Sequence, residues 1–257
     1  MRPASSFKGL TIAAADGDIG SVKDLYFDDG SWTVRYLVVD TGAWLPGRQV
    51  LISPMSVNQP VTLDRVFVDL TREQVKDSPP VESDLPVNRQ NELELSRHYR
   101  YPYYWEGPLR WGAVDFAGAV PVPVMPAPDP VGEEMAARLR SQADPSLRSV
   151  RDVTGYTIEA TDGDIGHVED FLVDEPAWAI RYMVVDTRNW LPGRKVLVSP
   201  EWVQSVTWPD SRVHVDLRRD HIEAAPEFDP TATFEREHET RLFEHHGRRK
   251  YWESERR

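Results

Sequence analysis

Several groups of residues have types and spacing that could do chemistry. Asp16-Gly17-Asp18-Ile19-Gly20 returns as Asp162-Gly163-Asp164-Ile165-Gly166, and both runs open like a calcium loop. Such a loop needs an oxygen ligand at position five, glycine at six and glutamate at twelve. Those positions hold Gly20, Ser21 and Phe27, so each run reads as a turn whose carboxylates bind a cation weakly if at all. His238-Glu239 begins like a two-histidine zinc motif, but Leu242 stands where the second histidine must be. His238, His245 and His246 with Glu235 share one predicted helix. The aligned places earlier in the chain hold Asn91, His98 and Tyr99, so no ligand set is duplicated and neither metal nor cofactor is expected. Asp40-Thr41 and Asp186-Thr187 end a predicted strand, where an active-site carboxylate could sit. A strand-ending aspartate more often accepts hydrogen bonds from the amides of the following turn. Glycine-rich phosphate loops, nucleophile elbows and paired carboxylates are absent, and the chain has no cysteine. No catalytic residue is assigned, and the chain is expected not to be an enzyme.

The elements that hold these groups occur twice. Gly9 to Pro54 aligns without a gap onto Gly155 to Pro200, and 28 of the 46 positions are identical. After a one-residue slip, Val68-Asp69-Leu70 matches Val215-Asp216-Leu217, and Tyr104-Trp105-Glu106 matches Tyr251-Trp252-Glu253. A unit of this length is a domain rather than a solenoid repeat. In the first copy, Leu10 to Ala14, Ile19 to Phe27, Thr33 to Asp40, Arg48 to Ile52 and Val66 to Leu70 read as strands. Within Thr33 to Asp40, Val34, Tyr36 and Val38 alternate with Thr33, Arg35 and Leu37. Asp28-Asp29-Gly30 reads as a hairpin tip with positive φ. Thr71 to Gln74 has capping-box spacing for a short helix. Longer helices are predicted over Val87 to Tyr99 and Phe234 to His246, the latter with Phe234, His238, Leu242 and His245 on one face. Between the copies, Val120 to Pro130 reads as a semi-rigid spacer and Glu133 to Gln142 as a short helix. The basic residues at 248–250 and 256–257 read as a solvated tail.

The net charge is −12 with a pI near 5.1, and both copies are acidic. Broad phosphate-binding surfaces depend on clustered Lys and Arg, so direct contact with nucleic acid is not expected. No stretch approaches the roughly 20 apolar residues that cross a bilayer. The best candidate, Ala113 to Pro128, contains Asp115 and is broken by Pro121, Pro123 and Pro126. The N-terminus lacks the apolar core of a signal peptide, and a soluble, cytoplasmic protein without membrane insertion is expected.

The ordered pattern of Asp-Gly-Asp-Ile-Gly-x-Val-x-Asp, a Trp, Arg-Tyr-x-Val-Val-Asp-Thr and Trp-Leu-Pro-Gly-Arg-x-Val-Leu-x-Ser-Pro resembles the PRC-barrel family. That family is typified by the cytoplasmic domain of the photosynthetic reaction-centre H subunit and by the C-terminal domain of a small-subunit ribosome maturation factor. The resemblance covers about residues 5–75 and 148–222. It implies a mainly β chain with appended α: two small antiparallel barrels, each followed by a helical arm, arranged as a pseudo-two-fold pair. The arms are expected over 76–106 and 223–257, with a proline-rich linker over 107–147. The resemblance also implies a non-enzymatic adaptor that docks a protein partner. The second reading is a ribosome- or RNA-processing-associated factor that acts through a ribosomal protein. Trp44, Arg48, Trp190 and Arg194, in the repeated Trp-Leu-Pro-Gly-Arg loops, are candidate interaction residues. Tyr104, Trp105 and Trp252 are candidates for barrel–barrel contact within the chain, or for its intermolecular counterpart in a homodimer. Residues kept in both copies serve the fold, so specific function is expected where the copies differ.

Overall fold

The computed structural model of the chain describes residues 1–79, 87, 89–117, 147–187, 193–232 and 234–254. The backbone divides into two compact units. The N-terminal unit holds Arg2–Asp152 together with Val173–Ile180, and the C-terminal unit holds Val153–Leu172 and Arg181–Arg257 with Met1. The boundary therefore does not follow the repeat, because Val173–Ile180 of the second copy, and the start of that copy up to Asp152, are built into the first copy's unit.

The N-terminal unit contains β1 (Arg2–Pro3), β2 (Thr11–Ala14), β3 (Gly17–Asp28), β4 (Thr33–Asp40), β5 (Gln49–Ile52), β6 (Val57–Asn58), β7 (Arg65–Val68) and β8 (Leu147–Ser149). Its hydrogen-bonded order is β5-β4-β3-β2-β7-β6, with β8 also on β3. The C-terminal unit repeats that order with β9 (Thr157–Ala160), β10 (Gly163–Asp174), β11 (Ala179–Asp186), β12 (Lys195–Val198), β13 (Val203–Thr207) and β14 (Arg212–Val215). The expected antiparallel barrels are corrected on two points, since the sheet in each unit is mixed and open. β2 runs parallel to β7 and β9 parallel to β14, with Thr11 opposite Arg65 and Thr157 opposite Arg212. Parallel pairing needs a long crossover, and the intervening strands of each copy supply one. β5 and β6 end the order in one unit, as β12 and β13 do in the other. The edge of β12 is covered locally, where the Phe228 amide donates to the Lys195 carbonyl at 2.9 Å.

One glycine sets the bend of the long strand. A Cβ on Gly20 would sit 2.0 Å from the Asp40 carbonyl oxygen, and one on Gly166 would sit 2.1 Å from that of Asp186. Pairing slips at Gly166, a bulge that glycine permits. The hairpin tip departs from expectation. The left-handed residue is Trp32 (φ 50°), repeated by Trp178 (φ 53°), and Gly30 is not left-handed. A left-handed non-glycine residue costs about 1–2 kcal/mol. Ring burial offsets that cost: Trp32 stacks on Phe27 at 5.3 Å, and fully buried Trp178 packs 5.3 Å from Phe7. Around Trp178 the N-terminal unit also pairs Ala179 with Thr33 and Arg2 with Glu175 (2.9 Å).

The helices follow the capping signals. α1 (Arg72–Lys76) carries the full capping box of Thr71 and Gln74, and α2 (Arg89–Tyr99) begins the first arm. α3 (Val150–Val153) follows β8, and its Arg151 amide donates to Asp24 at 3.2 Å. α4 (Arg219–Glu223), α5 (Arg236–His245) and α6 (Tyr251–Ser254) belong to the second copy. The buried residues of α5 are Glu239, Leu242 and Phe243, so Leu242 of the predicted face is joined in the core by a glutamate. Among the described residues no helix is long and apolar enough to cross a membrane. The expected spacer at Val120 to Pro130, the helix at Glu133 to Gln142, and Arg256-Arg257 lie outside the described residues.

Two substitutions test these assignments. α5 closes with a left-handed Gly247 (φ 60°), the Arg248 amide bonding the Phe243 carbonyl at 2.9 Å. α2 closes the same way with an exposed Arg100 (φ 60°), the Tyr101 amide bonding the Ser96 carbonyl at 2.9 Å. Arg100→Gly is expected to stabilise the protein by about 1 kcal/mol, read from the urea midpoint. Trp178→Ala is expected to cost about 3–5 kcal/mol. Hydrogen exchange should place the loss in β3 and β4 of the N-terminal unit, not in the second copy alone.

Candidate functional site

The Asp-Gly-Asp turns hold helices. Asp16 accepts the backbone amide of Arg72 at the start of α1, and Asp162 accepts that of Arg219 at the start of α4, both at 2.8 Å. A carboxylate there satisfies an amide that the helix leaves without a partner and meets the positive end of its dipole. Asp18 and Asp164 pair with Arg65 (2.8 Å) and Arg212 (2.9 Å) on the parallel strand. Among the described residues no cluster of three or more His, Asp or Glu side chains is arranged to hold a metal ion. His245 Nε2 lies 2.7 Å from the His221 carbonyl, as His98 Nε2 lies 2.7 Å from that of Gln74.

The Trp-Leu-Pro-Gly-Arg loop is organised from within. Asp40 accepts the Gly42 amide at 2.8 Å, and the Thr41 hydroxyl contacts the Leu45 and Arg48 carbonyls at 2.7 Å. Arg48 reaches across to α1, donating to the carbonyls of Lys76 (2.5 Å) and Ser78. Arg194 does the same at α4, donating to Glu223 (2.5 Å) and Ala225. These guanidinium groups therefore close the C-terminal ends of short helices, where a cation is favoured. Trp44 is half-buried with the Arg72 guanidinium 4.7 Å from its ring. Trp190, with Arg188 and Asn189, lies outside the described residues.

The most perturbed groups lie where each arm meets its sheet. β4 is buried along its length apart from Asp40, and β11 is buried throughout. Both faces of these strands are buried, because the arm covers the second one. Arg35 is consequently 3% exposed. Its guanidinium lies 3.6 Å from the Tyr104 ring centre and 4.8 Å from that of Trp111, and donates to the Arg110 carbonyl at 2.7 Å. Tyr104 donates its hydroxyl to Glu92 of α2 at 2.6 Å. The second copy repeats the arrangement. Arg181 lies 3.9 Å over Tyr251, and Tyr251 donates to Glu239 of α5 at 2.8 Å. Tyr182 and Arg236 add bonds to Glu239 at 2.9 and 2.7 Å.

Burial pushes the Arg35 guanidinium below its usual range. Burial, reinforced by the Glu239 charge, pushes the Tyr182 and Tyr251 phenols well above theirs. Such phenols remain neutral donors at physiological pH and do not supply an ionised nucleophile. The arrangement fastens an arm to a sheet, through a cation over a ring and a carboxylate under its hydroxyl. Tyr104 is thus used inside its own unit. Trp105 stacks on Tyr103 (5.1 Å), and Trp252 packs on Phe243 (5.4 Å) and Arg236 (4.4 Å) within the C-terminal unit. Arg35, Arg181 and Glu92 were not singled out as site residues by sequence reasoning, and Glu239 stood out only in the rejected zinc motif. The available signal was a charged residue kept at the same place in the most apolar strand of both copies.

The family model of the PRC-barrel domain matches residues 1–75 and 146–222, together more than half of the chain. The chain belongs to the PRC-barrel family and carries the domain twice. No curated protein matches it.

The phenols set an alkaline limit to stability. Their folded-state values are raised, so their contribution is intact below pH 10 and is lost above it as the unfolded chain ionises first. Chemical denaturation from pH 8 to 11 should show this fall, and Tyr251→Phe should make it shallower. At neutral pH the same substitution is expected to cost about 2 kcal/mol.

Proposed function

We propose that the protein is a non-enzymatic adaptor built on two PRC domains, and that it docks a protein partner through the first domain. The carrying observation is a difference between the copies. Leu63 is 92% exposed in the turn before β7, and Phe67 is 44% exposed on that strand. The second copy has Asp210 and His214 at these places, with His214 bonded to Thr207 at 3.1 Å. Apolar groups exposed in one copy and replaced by polar ones in the other are what a partner-specific surface on a duplicated scaffold requires. The half-buried Trp44 loop is a second contact candidate. The internal use of the Arg35 and Arg181 clusters supports a role other than catalysis. The net charge of −12 favours a basic partner and also supports the second reading, association with a ribosomal protein.

The test is cross-linked capture from the source cells, comparing the native protein with Leu63→Asp/Phe67→His, each with and without ribonuclease. The expected result is one defined protein, insensitive to ribonuclease and lost with the double variant. Ribosomal particles that vanish after ribonuclease would replace the adaptor reading with the ribosomal one. An identical set from both proteins would sink the Leu63–Phe67 surface.

A further inference from the structure

We infer that the second arm is an acid-released latch: protonation of His246 frees α5 and α6 from the sheet of the C-terminal unit, while the first arm stays docked. His246 follows α5, and its ring leans on Trp202 at 4.8 Å and 56°. Trp202 is 3% exposed and also packs on Phe243 of α5 at 5.4 Å, so the histidine sits on the seam between arm and sheet. Its Nδ1 is buried and has no hydrogen-bond partner among the described residues. A second ring proton would therefore enter a site without an acceptor.

The basic neighbours oppose that proton. His245 on the same helix is 4.8 Å away between ring centres. His221 on α4 and Arg248 in the closing turn also act against a charge on His246. Arg248 is itself held by Asp216 after β14, at 2.9 Å from the carboxylate. Glu201, beside Trp202, is exposed. Burial and then these cations hold the folded-state pKa down at about 4, against 6.5 for the ordinary group. The released arm takes up the proton more readily, so docking is intact above pH 6.5 and weakens as pH falls toward about 4. His245 differs from His246 in that its ring nitrogen Nε2 has a partner, the His221 carbonyl at 2.7 Å. The first arm has Tyr99 at this place, 8% exposed, and is the internal control.

The experiment is hydrogen exchange of the full chain between pH 7.5 and 5, corrected for intrinsic rates. Opening of residues 236–254 should rise by up to about tenfold per pH unit below 6.5, with residues 91–101 unchanged. His246→Tyr, which imports the first copy's residue, should remove the dependence. His246→Phe serves if the tyrosine does not dock at pH 7.5. A pH-independent second arm, equal opening of both arms, or a dependence that survives both substitutions would overturn the inference.

Discussion

In each unit the arrangement depends on covering both faces of one strand. β4 and β11 carry an arginine that neither face can leave in water. A buried guanidinium without compensation is costly, so the arm must bring a ring for it to lie on and a carboxylate to complete the network. Tyr104 with Glu92, and Tyr251 with Glu239, supply both. The arm is therefore part of the domain's folding requirement. Its helices are short and their apolar stripes narrow, so docking rather than propensity holds them in place.

The duplication acts as an experiment within one chain. Positions held in common have structural tasks: Gly20 and Gly166 admit a carbonyl, Asp16 and Asp162 hold a helix start, and Arg48 and Arg194 hold a helix end. Positions that differ are relieved of those tasks. Leu63 and Phe67 against Asp210 and His214, and Tyr99 against His246, change surface chemistry or proton affinity without disturbing the strand order. A duplicated fold can in this way carry two properties at once.

Much of the fold was legible because its signals are local. The strands from Thr11 to Val68, the Thr71 capping box and the second copy of each follow from alternation, turn residues and capping groups read within a few positions. Other features were not legible, because they rest on residues far apart in the chain. Parallel return of β7 onto β2 depends on which sheet edge is open when the chain comes back. The left-handed Trp32 contradicts local preference, which favours Gly30, and is held by ring burial against Phe27. Trp44 and Arg48 stood out by repetition, but their surroundings were set by α1, which lies outside the loop.

By itself the sequence determined the family, the duplication and the secondary structure, since repetition and short-range patterning are properties of order along the chain. The tertiary structure alone decided that Val173–Ile180 of the second copy belongs to the N-terminal unit. It also decided that Arg35 and Arg181 are buried, and that His246 rests on Trp202. These outcomes depend on which surfaces meet after the chain has folded, and on the low polarity of the contacts so formed, neither of which spacing along the sequence encodes.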